Sequence, residues 1–352
     1  MIKRLDLVEH LEILSKYCLD NKLKLFVVLS SSVEDEPYSY FGGVRVTSLF
    51  ISTSLINITQ QELTAMGSTI DMHADYIAVD TEKKHPFSTE INENIIAPCL
   101  YSNLLTAAHK VFSKEKIIPW SPSRLTAEST LNKLRGYHNE DLSGHHVTLV
   151  GAGSIGFKVA LGLVEEGCNV HLYARDNSRS ACLVSAINYI KSKYTISAAI
   201  QATSIETAVA SSSCLVITAS SKGFLSPKHL MYMPRKHHCN LLDVGKNSLD
   251  NDAITILDRM PNVHYSRLDI SRELILFLCQ YCGFESIINE SSFQPLRKPH
   301  PTLDSTYMVS GGFPGKPGDL IVDNAEEPKF ILGHISGDNQ FISAFSLFAN
   351  RP

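Results

Sequence analysis

"LSGHHVTLVGAGSIGFKVALGLVEEGCNVHLYARD" occupies residues 142–176 and decides the fold. Residues 147–150 form a short β-branched, apolar run. Gly151-Ala152-Gly153-Ser154-Ile155-Gly156 follows and fits G-x-G-x-x-G. Over 157–166, Val159, Ala160, Leu163 and Val164 recur at helical spacing. Gly167 ends that helix, and 169–173 reads as a second strand. Strand, glycine turn, helix and strand in this order give the motif its meaning. Gly151 makes the tight turn, Gly153 lets backbone approach a pyrophosphate, and Gly156 lets helix pack on strand. The helix N-terminus, with Ser154 and Ile155 in its first turn, offers free N–H groups and the positive dipole end to phosphate. The unit predicts a dinucleotide-binding domain.

The end of the second strand bears on which dinucleotide. An NAD site places a carboxylate there, on the ribose 2′-hydroxyl. Counting the alternation Val170, Leu172, Ala174 puts alanine at that place, with Arg175 next and Arg179 close behind. A small residue followed by arginine suits a 2′-phosphate. Asp176 argues the other way, since a shift of two residues would bring a carboxylate to the ribose. NADP is favoured and NAD remains the alternative.

The following residues continue the alternation of helix and strand. Helices are expected at 180–193, 205–210 and 227–233. Strands are expected at 195–202, 214–219, 240–244 and 263–265. Ser220 begins a polar loop at the carboxyl end of one strand, and Gly245 follows another, so both are placed beside the cofactor, on its nicotinamide side.

With 352 residues, the chain has room for two domains. Its 44% hydrophobic and 19% charged residues are ordinary for a globular protein. The net charge of −4, without a run of like charges, argues against a nucleic-acid or polybasic membrane surface. The first residues read as an amphipathic helix rather than a leader, and no apolar run is long enough to span a bilayer, so a cytoplasmic protein is expected. Eight scattered cysteines read as reduced core residues. Cys279 and Cys282, spaced C-x-x-C, fall in an expected helix. His145-His146 and His237-His238-Cys239 flank strands, and no metal is expected.

About 140 residues precede the glycine turn. They alternate helix and strand: helices near 6–19, 60–66 and within 95–112, strands near 23–29, 48–56 and 76–79. Residues 113–119 read as a connector. A second α/β layer facing the first makes a cleft that holds a small-molecule substrate. In "YIAVDTEKKHP" a strand ends and exposes Asp80, Glu82, Lys83 and Lys84. A lysine beside carboxylates at a strand end can act as general acid or base, or polarise a carbonyl or imine. Lys84, with Asp80, is the catalytic candidate. Residues 37–45, with Tyr38, Tyr40 and Arg45 beside two glycines, form a turn that could also line a substrate loop.

"IIPWSPSRLTAESTLNKLRGYHNEDLSGHHVTLVGAGSIG" resembles the interdomain join of methylenetetrahydrofolate dehydrogenase/cyclohydrolases. Pro119-Trp120-Ser121-Pro122 stands where that family has P-C-T-P, and Leu142-Ser143-Gly144-His145 where it has L-x-G-K. "LLDVGKN" is similar to the family's V-I-D-V-G-I-N. "YARD" resembles the strand end of methylene-tetrahydromethanopterin dehydrogenases. "YIAVDTEKK" is loosely similar to the shikimate dehydrogenase segment N-V-T-x-P-x-K, which aligns Lys84 with that family's catalytic lysine. The resemblance implies an N-terminal domain of the amino-acid-dehydrogenase kind, a Rossmann domain, and NAD(P)-dependent hydride transfer. The lysine-bearing Y-x-x-x-K pattern of the folate enzymes has no match here, since Val44 lies four residues after Tyr40.

The expected architecture is a two-domain α/β chain: a smaller α/β substrate domain over 1–125, a doubly wound Rossmann domain over 126–268, and a C-terminal portion over 269–352. That portion would contain a helix crossing back to the leading domain, a Gly/Pro loop, and a hairpin of 320–322 with 330–334. The expected activity is hydride transfer to or from a small C=N or C=O compound. A biosynthetic amino-acid or imine dehydrogenase is one alternative, and a non-catalytic NADP-binding sensor or assembly protein is another. A homodimer is expected because it is the commonest soluble assembly.

Overall fold

The computed structural model describes residues 4–30, 39–82, 84–86, 101–210, 212–219, 223–234, 237–245, 248–282, 297–310, 316–322, 328, 331–336 and 341–343. The chain divides into two compact units, Met1–Leu276 and Phe277–Pro352.

The leading layer runs α1 (Arg4–Asn21), β1 (Lys24–Ser30), β2 (Tyr40–Phe41), β3 (Arg45–Val46), β4 (Phe50–Ile56), α2 (Gln60–His73), β5 (Tyr76–Asp80), β6 (Lys84–Pro86), β7 (Tyr101–Asn103), α3 (Leu104–Ala108) and β8 (Ile117–Trp120). Among the described residues its main sheet has six strands in the order β2-β4-β1-β5-β8, with β3 beside β4. β1, β4, β5 and β8 are parallel, so Ser30, Ile56, Asp80 and Trp120 end on one edge. Near-continuous apolar runs such as Leu25–Leu29 and Ile77–Val79 are what a strand covered on both faces requires. Leu7 and Leu11 of α1 and Leu63, Met66 and Ile70 of α2 bury against Val27, Leu29, Ile77 and Val79. Thr59 starts α2 with a capping box: its hydroxyl accepts the Glu62 N–H, and the Glu62 carboxylate accepts the Thr59 N–H. α2 extends seven residues beyond the helix expected from the sequence. β8 replaces the end of the expected connector, and its Pro119 is tolerated because β8 lies at the sheet edge.

α4 (Pro122–Tyr137) then leads into the second layer, with Ser121 at its N-cap and proline in its first turn. That layer comprises β9 (His146–Val150), α5 (Ser154–Glu165), β10 (Asn169–Tyr173), α6 (Asn177–Ile190), β11 (Ala199–Gln201), α7 (Ile205–Ala210), β12 (Cys214–Ile217), α8 (Pro227–Leu230), β13 (Cys239–Asp243), α9 (Asn251–Leu257) and β14 (Val263–Arg267). All six strands are parallel, in the order β11-β10-β9-β12-β13-β14. This is the 3-2-1-4-5-6 order of a doubly wound Rossmann sheet, so the fold is α/β, a Rossmann sheet preceded by a further α/β sheet, as the sequence predicts. One face packs Val159, Leu163 and Val164 of α5 and Leu134 of α4 on Leu149 and Leu172. The other packs Val209, Leu230 and Leu257 on Leu215 and Leu241.

α10 (Ser271–Cys279) begins with a crossing back toward the leading layer. Buried Glu273 accepts from Ser129 Oγ at 2.9 Å and Asn132 Nδ2 at 3.2 Å on α4, and Arg45 Nε of β3 donates to Ser271 Oγ at 3.1 Å. The second unit contains β15 (Arg297–Pro299), β16 (Tyr307–Ser310), β17 (Leu320–Val322), β18 (Ile331–Ile335) and β19 (Phe341–Ser343), a five-stranded sheet among the described residues. β17 and β18 pair antiparallel, as the hairpin expectation has it. The Gly/Pro loop at 311–315 lies outside the described residues.

Candidate active site

The glycine turn sits where the strand order reverses, between β9 and β12, the place where an open α/β sheet forms a crevice at its carboxyl edge. Gly151 has φ +124°, and a Cβ there would lie 2.7 Å from both Ala219 N and Thr218 Oγ1. Its N–H donates to Tyr173 O at 2.8 Å, and Thr218 Oγ1 donates to Gly151 O at 3.2 Å, so neighbouring strand ends hold the turn. A Cβ on Gly156 would come 2.1 Å from Gly151 O, which fixes how closely α5 packs on the turn. Gly153 differs: a Cβ there meets nothing within 4 Å. It is the N-cap of α5 and makes no side-chain cap. The start of a twelve-residue helix, with Ser154 and Ile155 in its first turn, therefore borders open space beside backbone without side chain. A pyrophosphate fits such a cradle.

Beside the glycine turn, β10 ends at Tyr173. Ala174 is buried, and Arg175 is exposed with its guanidinium carbon 5.7 Å from the centre of the Phe224 ring. Asp176 is the N-cap of α6, its carboxylate accepting the Arg179 N–H at 3.0 Å. The carboxylate that competed for the ribose role is thus engaged with the helix. Arg179 is exposed in the first turn of α6. On the other side, Gly245 packs against the β12 loop so closely that a Cβ would lie 1.9 Å from Ala219 O. The sequence reading gave this glycine to cofactor approach, but loop-on-loop packing already requires it. Ser220 lies outside the described residues. The buried Asp243, at the end of β13, accepts from Ser248 N through Oδ2 at 3.4 Å, while its Oδ1 has no hydrogen-bond partner among the described residues.

The carboxyl edge of the leading sheet is joined to α5 by a cluster that sequence reasoning did not single out. Glu82 follows β5. Its carboxylate accepts Ser121 Oγ and Ser123 Oγ, each at 2.5 Å, Ser123 N at 2.7 Å, and Lys158 Nζ at 3.2 Å. Lys158 Nζ also donates to Ser123 Oγ, and Ser123 Oγ lies 3.4 Å from Ser154 Oγ, just after the glycine turn. Burial by itself would raise the Glu82 carboxyl. The hydrogen bonds from Ser121, Ser123 and Lys158 outweigh it and hold the group down at about 2. Lys158 stands four residues after Ser154, so both lie on one helix face; that spacing was the available signal.

The catalytic candidates fare unequally. Asp80 is buried, and its Oδ1 accepts the Glu82 N–H at 2.8 Å. It shapes the turn that presents Glu82. Lys84 opens β6, whose backbone pairs with Asn103 of β7; its side chain lies outside the described residues, as does Lys83. Among the described residues, no group of three or more His, Cys, Asp or Glu side chains is placed to hold a metal ion, and no helix is long and apolar enough to cross a membrane. Cys279 and Cys282 are not joined by a disulfide.

No protein-family model and no curated protein matches the chain. Solved structures do. A glycerate dehydrogenase related protein from Thermoplasma acidophilum matches at 16% identity over 44% of this chain and 59% of that protein, with a TM-score of 0.31. The dipicolinate synthase A chain from Bacillus subtilis matches at 12% identity over 76% of this chain and 97% of that protein, with a TM-score of 0.37. L-tryptophan dehydrogenase from Nostoc punctiforme matches at 12% identity over 74% of this chain and 75% of that protein, with a TM-score of 0.42. The chain spans little more than half the length of the first of these.

Proposed function

We propose that the chain is a nicotinamide-dinucleotide-dependent oxidoreductase, with NADP favoured over NAD. Its substrate is a small C=N or C=O compound, or the reduced counterpart, held between the leading sheet and the dinucleotide turn. The observation that carries this proposal is the open cradle at Gly153, set between the locked Gly151 and Gly156 at the switch point of a Rossmann sheet. The dinucleotide, when bound, supplies or takes up the hydride. The α5 N–H groups hold its pyrophosphate, and Arg175 faces the 2′-phosphate. Ser121, Ser123, Glu82 and Lys158 fix the leading sheet against the turn, which closes one wall of the substrate space. Lys84, two residues after Glu82, is proposed to move a proton to or from the substrate.

The resemblance to methylenetetrahydrofolate dehydrogenases suggests one substrate class within this proposal, and small amino or hydroxy acids are another. The test is nicotinamide absorbance on mixing the protein with NADPH or NADP⁺ and a panel of small imines, carbonyls and their reduced forms. The expected outcome is a substrate-dependent change with at least one compound. Dinucleotide binding without turnover across the panel would favour a non-catalytic NADP-binding protein, and absence of binding would overturn the proposal.

A further inference from the structure

Phe224 lies in the loop that follows β12, opposite the end of β10. Its ring packs on the core beneath β12 and β13 and lies 6.5 Å, tilted, from the Tyr173 ring. Half-buried on that side, it is a fixed surface. Arg175 is exposed, and the partner the structure gives its guanidinium is this ring, at 5.7 Å. The adjacent carboxylate, Asp176, accepts the Arg179 N–H at the α6 cap through Oδ1. A long solvated arginine samples many rotamers, and an aromatic face that attracts the guanidinium narrows that set. Stacking leaves the in-plane N–H donors free for an anion.

We infer that Phe224 is a positioning residue for Arg175, so that the preference for a 2′-phosphate is set jointly by the loops after β10 and β12. This rests on the dinucleotide site proposed above. The guanidinium is held by the ring where it meets the phosphate, instead of being drawn from bulk solvent at each binding event.

Calorimetric titration with NADP⁺ and NAD⁺ tests it on the wild type, Phe224→Leu, Phe224→Tyr and Arg175→Ala. Phe224→Leu is expected to weaken NADP⁺ by roughly three-fold and leave NAD⁺ unchanged, the scale of an exposed cation–π contact. Phe224→Tyr, which keeps the ring, should restore wild-type affinity. Combined with Arg175→Ala, Phe224→Leu should have no further effect on NADP⁺. Equal losses for both dinucleotides would overturn the inference and make Phe224 a general support of the site. No loss for either would also overturn it. A wild type that binds the two equally, or binds neither, defeats the underlying 2′-phosphate assignment and this inference together; the wild-type titration alone reveals that case.

Discussion

Lys158 Nζ lies 3.2 Å from Glu82 Oε1, joining the helix after the glycine turn to the turn that leaves the leading sheet. Both side chains are about one-third exposed, with 36% and 33% of their surface open. An ion pair this wet is weak by itself. It is reinforced by Ser121 Oγ and Ser123 Oγ, which donate to the same Oε1, by Ser123 N, which donates to Oε2, and by Ser123 Oγ, which Lys158 also meets.

Removing the Glu82 charge should therefore destabilise the folded chain by about 1 kcal/mol, after screening is allowed for. The sign with pH is fixed by the depressed carboxyl. The stabilisation is complete above the ordinary value of 4.5 and is lost as pH falls toward about 2. Urea unfolding of wild type and Glu82→Gln should differ near about pH 7, and the gap should shrink as pH falls from about 4.5 toward about 2. An unchanged gap at low pH would contradict the assigned hydrogen bonds.

Gly153 and Gly156 should separate binding from folding. Gly156→Ala drives a methyl group into Gly151 O, so the melting temperature should fall by several degrees, the equivalent of about 1–3 kcal/mol. Gly153→Val enters open space at φ −88°, so the melting temperature should hold. Dinucleotide affinity should nevertheless collapse, because the added side chain occupies the pyrophosphate cradle. Thermal melts of both variants with and without NADP⁺ check this.

Lys84→Met is expected to lower turnover by roughly a hundred-fold while leaving dinucleotide affinity unchanged, the signature of a lost acid–base group. Turnover within a few-fold of wild type would make Lys84 a surface charge. Lys158→Met should instead lower stability, because it empties the position beside Glu82.

The thiols give an independent check of the core. Burial pushes Cys168 and Cys239 up to about 12 and raises Cys214 further. Native protein should leave these three unreactive toward an aromatic disulfide, while the exposed Cys182 reacts first among the described cysteines. Fast labelling of Cys214 would contradict the packing of β12 against β13.

The Rossmann layer was legible because its local signals agree. Apolar runs mark its strands, and Gly151 and Gly156 each meet a distinct steric demand, while Gly153 borders open space. β8 and α4 were harder to read. Pro119 disguises a strand that only an edge position permits, and the start of α4 depends on Ser121 and Pro122 rather than on an apolar stripe. Glu82 stands out in the sequence as part of a charged strand end, but its partners Ser123 and Lys158, and likewise Phe224, do not, because each acts through a residue 30 to 80 positions away or on another loop. Single-sequence spacing does not report such contacts. Asp80 was read as exposed because it ends a strand within a charged run, yet it is 1% exposed and serves the turn.

The chain's one tryptophan, Trp120, offers the most direct test. It ends β8, is 5% exposed, and donates its indole N–H to Leu29 O at 3.2 Å, immediately before the Ser121–Ser123 bridge to the dinucleotide turn. Titrating the protein with NADPH while exciting Trp120 should quench its emission saturably by energy transfer to the reduced nicotinamide. NADP⁺ should reverse the quenching, and Gly153→Val should abolish it. Emission that stays constant with both NADPH and NADH, in a protein that is folded by its melting curve, would contradict a dinucleotide site at this turn.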